Sequence, residues 1–101
     1  MLPRIKSIEF VKPYIIRALW TTGELREIDF NSILKPYTSK PESSIGRLLD
    51  PEIFVQAKVS PECQTICWDG LIKMRLKDGS TIPAPLDFCP DVLFENSRQI
   101  D

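Results

Sequence analysis

A chain of 101 residues with 43% hydrophobic and 27% charged residues holds enough apolar material for one ordered domain and no more. Its formal charge of -1, from 13 basic and 14 acidic residues interspersed without a run of Lys or Arg, argues against sustained attraction to nucleic acid or an anionic membrane. The absence of histidine removes Ser-His and Cys-His nucleophilic systems and the commonest transition-metal ligand.

The three cysteines, Cys63, Cys67 and Cys89, are an odd number, against a secreted disulfide framework. The start, Met-Leu-Pro-Arg-Ile-Lys, lacks the apolar core of a signal peptide, and no run approaches the roughly 20 apolar residues of a membrane span. The expectation is a cytoplasmic protein without a membrane segment.

Along the chain, residues 4–11 read as a strand, with Ile8 and Phe10 on one face and Ile5 off it. Lys12-Pro13 ends it, because proline lacks the ladder donor. Tyr14 to Phe30 is the clearest signal, a β-hairpin around Thr-Thr-Gly. A two-residue turn at Thr22-Gly23 would set Trp20 opposite Leu25 and Ala18 opposite Glu27, leaving Ile15, Arg17, Leu19, Ile28 and Phe30 on the other face. Gly23 suits a positive φ and Thr22 does not, so a longer loop with another register stays open. Apolar residues lie on both faces of the first arm, as in a central strand covered on each side or covered on one side by a partner.

Asn31 or Ser32 could cap a short helical turn, and residues 35–43 read as a surface loop. Ile45, Leu48 and Leu49 give one buried stripe to a short helix after Ser43-Ser44, and Asp50-Pro51 starts another turn anchored by Phe54. Val55, Ala57 and Val59 alternate like a strand, and Thr65 to Trp68 is a second short one. Asp69-Gly70 is a turn signal. Ile72, Met74 and Leu76 alternate with Lys73, Arg75 and Lys77 before a hairpin turn at Asp78-Gly79. Pro83 and Pro85 stop the following strand or confine it to an edge. Pro90 opens a short terminal helix in which Val92, Leu93 and Phe94 would face the sheet, and residues 98–101 are expected to fray. The sum is an α+β single domain over 1–101: an antiparallel sheet of two or three β-hairpins, with short helices around 44–54 and 90–97 packed on one face.

The order of Trp20-Thr-Thr-Gly-Glu-Leu-Arg-Glu-Ile-Asp29, Leu49-Asp-Pro-Glu-Ile-Phe54, Thr65-Ile-Cys-Trp68 and Pro90-Asp-Val-Leu-Phe94 resembles the bacterial family catalogued as domain of unknown function 2442, over roughly residues 5–97. Phe94 stands where that family usually has tyrosine, so no role for a phenolic hydroxyl carries over. Residues 69–85 form an extra hairpin-like segment. Some members carry a following helix-turn-helix domain, which is not expected in a chain ending at Asp101. The resemblance implies a small α+β domain and a toxin–antitoxin-like pairing with a small neighbouring protein. It brings no catalytic residues.

The candidate sites are weighed against plain structural roles. Cys63 and Cys67, spaced C-x3-C with no companion pair, read as ordinary small residues rather than zinc ligands. Asp29, Asp50, Asp69, Asp87 and Asp91 are the carboxylates a hydrolase would need, yet each sits where a turn or cap favours aspartate. Trp20 and Trp68 read first as core and second as interface anchors. Arg17, Arg26, Lys73, Arg75 and Lys77 could gather into a basic strip, although a solvated face or edge protection is the plainer reading. No catalytic, cofactor-binding or metal-ligating set is expected. The expected function is a non-enzymatic protein-interaction module, antitoxin-like or accessory, contacting a protein partner or a second copy of itself through Trp20, Arg17, Trp68 and Arg75. The alternatives are a nucleic-acid-binding regulator with a basic sheet face and a small carboxylate-dependent enzyme.

Overall fold

A computed structural model describes residues 2–40 and 42–100, without the side chain of Met74. The expected antiparallel sheet is two sheets. Strands β1 (Ile5–Lys12), β2 (Ile15–Trp20), β3 (Leu25–Asp29) and β7 (Ser97–Gln99) form a four-stranded sheet in the order β1-β2-β3-β7. Strands β4 (Lys58–Val59), β5 (Ile66–Arg75) and β6 (Thr81–Asp87) form a three-stranded sheet in that order. All pairings are antiparallel. Between them run α1 (Phe30–Leu34), a 3-10 turn at Lys35–Tyr37, a second at Gly46–Leu49, and α2 (Pro51–Phe54); α3 (Pro90–Glu95) precedes β7.

Gly23 sits at φ 90°, and Trp20 and Glu24 close the β2–β3 loop through the Trp20 N–H to Glu24 carbonyl bond of 2.9 Å. The loop is therefore three residues, Thr21-Thr22-Gly23, which spares Thr22 a positive φ. The register differs from the two-residue expectation by one: Leu19 faces Leu25, Ala18 faces Arg26 and Ile16 faces Ile28. That single step moves Ile28 onto the side of Ile16, Ala18 and Trp20, all fully buried, and away from Ile15, Arg17 and Leu19.

Two irregularities in β1, between Ile5 and Ser7 and between Ile8 and Phe10, have the same kind of effect. They bring Ile5, Ile8 and Val11 opposite Trp20, Ala18 and Ile16, on the core side. Phe10, expected beside Ile8, instead faces Arg17 on the outer side.

Other local expectations are also corrected. The cap of α1 is Asp29, whose Oδ1 accepts the Asn31 N–H at 2.9 Å, rather than Asn31 or Ser32. Val55 is exposed after α2, and only Lys58 and Val59 are extended in the 54–59 stretch. Asp69-Gly70 makes no chain reversal: β5 continues through it with a bulge between Trp68 and Ile72, and Gly70 holds φ 73°. β6 runs through Pro83 and Pro85 as an edge strand. Val92 points outward, while Leu93 is buried. Arg98 and Gln99 are not frayed but pair with β3, and the Ile100 N–H reaches the Leu25 carbonyl at 2.8 Å; Asp101 lies outside the described residues.

The core lies between the inner face of the larger sheet, the short helices and the second sheet. Phe30 is its hub, edge-on to Phe54, Trp68 and Phe88 with ring centroids 5.2 to 5.7 Å away. The Asp29 cap aims Phe30 into this cluster, and the Asp50 cap with Pro51 at the first helical position places Phe54 beside it. Trp68 Nε1 donates to the Phe54 carbonyl at 2.9 Å, and the Tyr14 hydroxyl donates to the Leu49 carbonyl. These bonds tie loop segments, otherwise held by few ladder bonds, to both sheets.

Candidate interaction surfaces

Both tryptophans are core. Trp20 has 0% and Trp68 1% of its surface exposed, so neither ring can anchor a partner. The plain reading of these two residues holds, and the interface role does not. Trp20 lies edge-on to Phe94 at 5.1 Å, and Trp68 is enclosed by Phe30, Phe54 and Phe88. Of the four interface candidates, Arg17 and Arg75 remain on the surface.

The five cations expected to form a strip are divided among three places. Arg26 lies over the Phe94 ring at 4.0 Å, bonds Ser97 through Nε at 2.7 Å and pairs with Glu24 at 3.0 Å, so it acts as a lid on α3. Arg17 is on the outer face of the four-stranded sheet. Lys73, Arg75 and Lys77 belong to the β5–β6 hairpin.

The outer face of the larger sheet carries one straight row across all four strands. The pairings Phe10 with Arg17, Arg17 with Glu27 and Glu27 with Arg98 put these side chains in line. Arg17 Cζ lies 5.5 Å from the Phe10 ring centroid, Arg17 Nε is 3.2 Å from Glu27 Oε1, and Arg98 Nη2 is 2.9 Å from Glu27 Oε2. The Arg98 hydrogen bond, helped by Arg17 and opposed by partial desolvation, holds the Glu27 carboxyl below its ordinary range. Ile15, Leu19 and Leu25 flank the row, half-buried, and none joins the core. Phe10 is 45% exposed, and the Arg98 side chain 81%. At one end a cavity of about 530 Å³ opens among Ile15, Glu27, Asp29, Glu95, Asn96 and Arg98. Sequence reasoning found Arg17 but missed Phe10, Glu27 and Arg98. The signal that could have found them was the pairing of opposite charges across a correctly registered hairpin.

The second surface is the outer half of the β5–β6 hairpin. Every described side chain from 73 to 83 is exposed. Lys73, opposite Pro83, and Arg75, opposite Thr81, share one face, and Lys77 follows in the tip. Ile72, opposite Ala84, and Ile82 take the other face. The tip repeats the first hairpin's geometry: Leu76 N–H bonds the Ser80 carbonyl at 2.8 Å, and Gly79 has φ 89°. Asp78 is occupied at this tip, accepting the Ser80 N–H at 2.9 Å and hydroxyl at 2.6 Å, which lowers its pKa.

Three of the five aspartates serve the turn or cap positions that the sequence suggests, and Asp69 and Asp87 do not, since both lie in strands. Asp29 and Asp50 cap helices, and Asp91 lies in the first turn of α3. Asp69 pairs with Lys58 at 2.6 Å beside a small depression of about 160 Å³ that also includes Cys67. Burial pushes the Cys67 thiol up, opposed by Lys58 and assisted by Asp69 and Asp87, which makes it a poor nucleophile near neutral pH. Cys63 and Cys89 are exposed. Among the described residues no group of three or more His, Cys, Asp or Glu could hold a metal ion, and no helix is long and apolar enough to cross a membrane.

The chain matches the family described as protein of unknown function (DUF2442) over residues 5–99. It belongs to that family. No curated protein matches. Among solved structures, the family member is similar to the crystal structure of the "Putative DNA Binding Protein" from Nitrosomonas europaea, with 29% identity and a TM-score of 0.51. The likeness covers 65% of this chain and 39% of that one, so the chain spans well under half the length of that neighbour.

Proposed function

We propose that this family member is a non-enzymatic protein-interaction module whose partner covers the outer face of the four-stranded sheet. The observation that carries the reading is the double-sided β2. Ile16, Ala18 and Trp20 line the core, while Ile15 and Leu19 point to a face on which no core residue lies. Half-buried aliphatic residues around an arginine-rich row, with Phe10 at the edge, have the composition of an interface patch: an apolar surface with Arg and aromatic anchors. The partner fitting it presents an apolar strip with a carboxylate toward Arg98, whose guanidinium is the most accessible charge of the row. The antitoxin-like or accessory role in a gene pair, and a cytoplasmic location, are parts of this same proposal.

The Nitrosomonas europaea neighbour brings nucleic acid as a second reading, but the larger sheet does not favour it. Arg17 and Arg98 both face Glu27, and Asp29 lies on the same side.

The test is co-expression with the product of the adjacent gene, for wild type and Leu19→Asp. Wild type is expected to co-purify with that product or to sediment alone as a dimer, and Leu19→Asp to do neither while keeping its circular dichroism. A wild-type chain that is monomeric alone and leaves the neighbour's product unbound would overturn the proposal.

A further inference from the structure

We infer that the β5–β6 hairpin is a phosphate-contacting arm for B-form duplex DNA, a site separate from the outer face of the larger sheet. Three cations, Lys73, Arg75 and Lys77, recur at every second residue of one strand and its tip. No ion pair engages any of them among the described residues, and unlike the scattered other cations without one they are gathered on a single arm. Asp78 is the one acidic residue from 70 to 86; its Oδ1 accepts from Ser80, which favours its ionised form, so the arm carries three positive charges against one negative. The formal charge of -1 describes the whole chain, while the arm is a local cationic finger.

Geometry favours a polyanion with regular spacing. Residues two apart on a strand lie roughly 6.6 Å apart. One DNA strand places a phosphate about every 3.4 Å of axis and winds about that axis at each step, so adjacent phosphates lie about twice the rise apart through space and successive cations fall near successive phosphates. A two-stranded ribbon is also of a size that the major groove of B-form DNA, about 12 Å wide, admits, whereas the major groove of double-stranded RNA is deep and narrow. An acidic peptide is the competing occupant, and an extended peptide would be held best by adding a strand to the β6 edge. Pro83 and Pro85 remove amide donors from β6, which blocks that mode.

The experiment is fluorescence anisotropy of a labelled 20-base-pair duplex of arbitrary sequence, titrated with the full chain between 50 and 200 mM salt. Three phosphate contacts give a slope of log affinity on log salt of about -2.7, so binding weakens roughly 40-fold over this range. Lys73→Ala is expected to reduce the slope by about 0.9, and the Lys73→Ala, Arg75→Ala, Lys77→Ala triple variant to abolish it. The substituted side chains are exposed, so the variants keep the wild-type fold, which circular dichroism checks. Leu19→Asp on the outer sheet face is expected to bind DNA as wild type does, which separates this site from the proposed protein interface. The inference is overturned by absent binding at 50 mM salt, by a triple variant that binds normally, by tighter binding to single-stranded DNA, or by poly-glutamate binding as tightly as the duplex.

Discussion

Two tryptophans with nearly equal burial differ in one atom's surroundings, which gives a sharp test of the packing. Trp68 Nε1 donates to the Phe54 carbonyl at 2.9 Å; Trp20 Nε1 is buried with no hydrogen-bond partner among the described residues. Replacing either by phenylalanine removes similar volume from a fully packed site, at a cost of about 1–2 kcal/mol taken as a fraction of the 3–5 for complete truncation. Trp68→Phe also breaks a buried hydrogen bond; the Phe54 carbonyl keeps the Ala57 N–H at 3.2 Å, so the loss adds about 0.5–1.5 kcal/mol. Trp20→Phe instead removes an unsatisfied donor, which offsets its cavity cost by a comparable amount. Trp68→Phe is therefore expected to be the more destabilised by about 1.5–3.5 kcal/mol. Each kcal/mol is roughly 4–8 °C in Tm for a domain of this size. Urea unfolding followed by far-ultraviolet circular dichroism measures both variants without relying on the altered fluorophore. If Trp20→Phe costs as much as Trp68→Phe, the assignment of the two indole environments is wrong.

Gly23→Ala and Gly79→Ala should each cost about 1–2 kcal/mol in urea unfolding. An added Cβ meets nothing within 4 Å at either site, so the cost is one of positive φ and not of collision. Thiol labelling of the native protein should modify Cys63 and Cys89 rapidly and Cys67 only on unfolding; prompt labelling of all three would contradict the burial of Cys67. Because the folded Glu27 carboxyl titrates below its ordinary value of 4.5, its contribution is full above that pH and is lost as pH falls through the lowered value. Arg98→Ala should accordingly be less stable than wild type by up to about 1 kcal/mol at pH 7, with the difference vanishing in acid. A difference that grows on acidification would refute the row.

The resemblance to the family, the α+β class and the chemistry of individual turns were legible in the residues. Gly23 and Gly79 close their hairpins, Asp50-Pro51 starts α2, and Pro83 and Pro85 lie on an edge, because each of these follows from backbone rules acting over three or four residues. The candidate site was legible only in part. Arg17 was visible as a cation on a two-faced strand, but its neighbours Phe10, Glu27 and Arg98 come from three other strands, 7, 10 and 81 positions away in the sequence. Asp69-Gly70 shows the opposite failure: good turn chemistry absorbed as a bulge, because pairing with β6 on both sides carries β5 through it.

The sequence by itself determined the reversals at Gly23 and Gly79, the start of α2 at Asp50-Pro51, and that β2 has apolar residues on both sides. Only the tertiary structure decided which side of β2 meets the core. Which residues of β1 and β3 share that side depends on one extra residue in the Thr21-Thr22-Gly23 loop and two irregularities in β1, and with a side-chain period of two a single step in register transfers a whole strand from one face to the other. The same step set Ile28 on the side of Trp20 and, with the β1 irregularities, left Phe10, Arg17, Glu27 and Arg98 in one outward row.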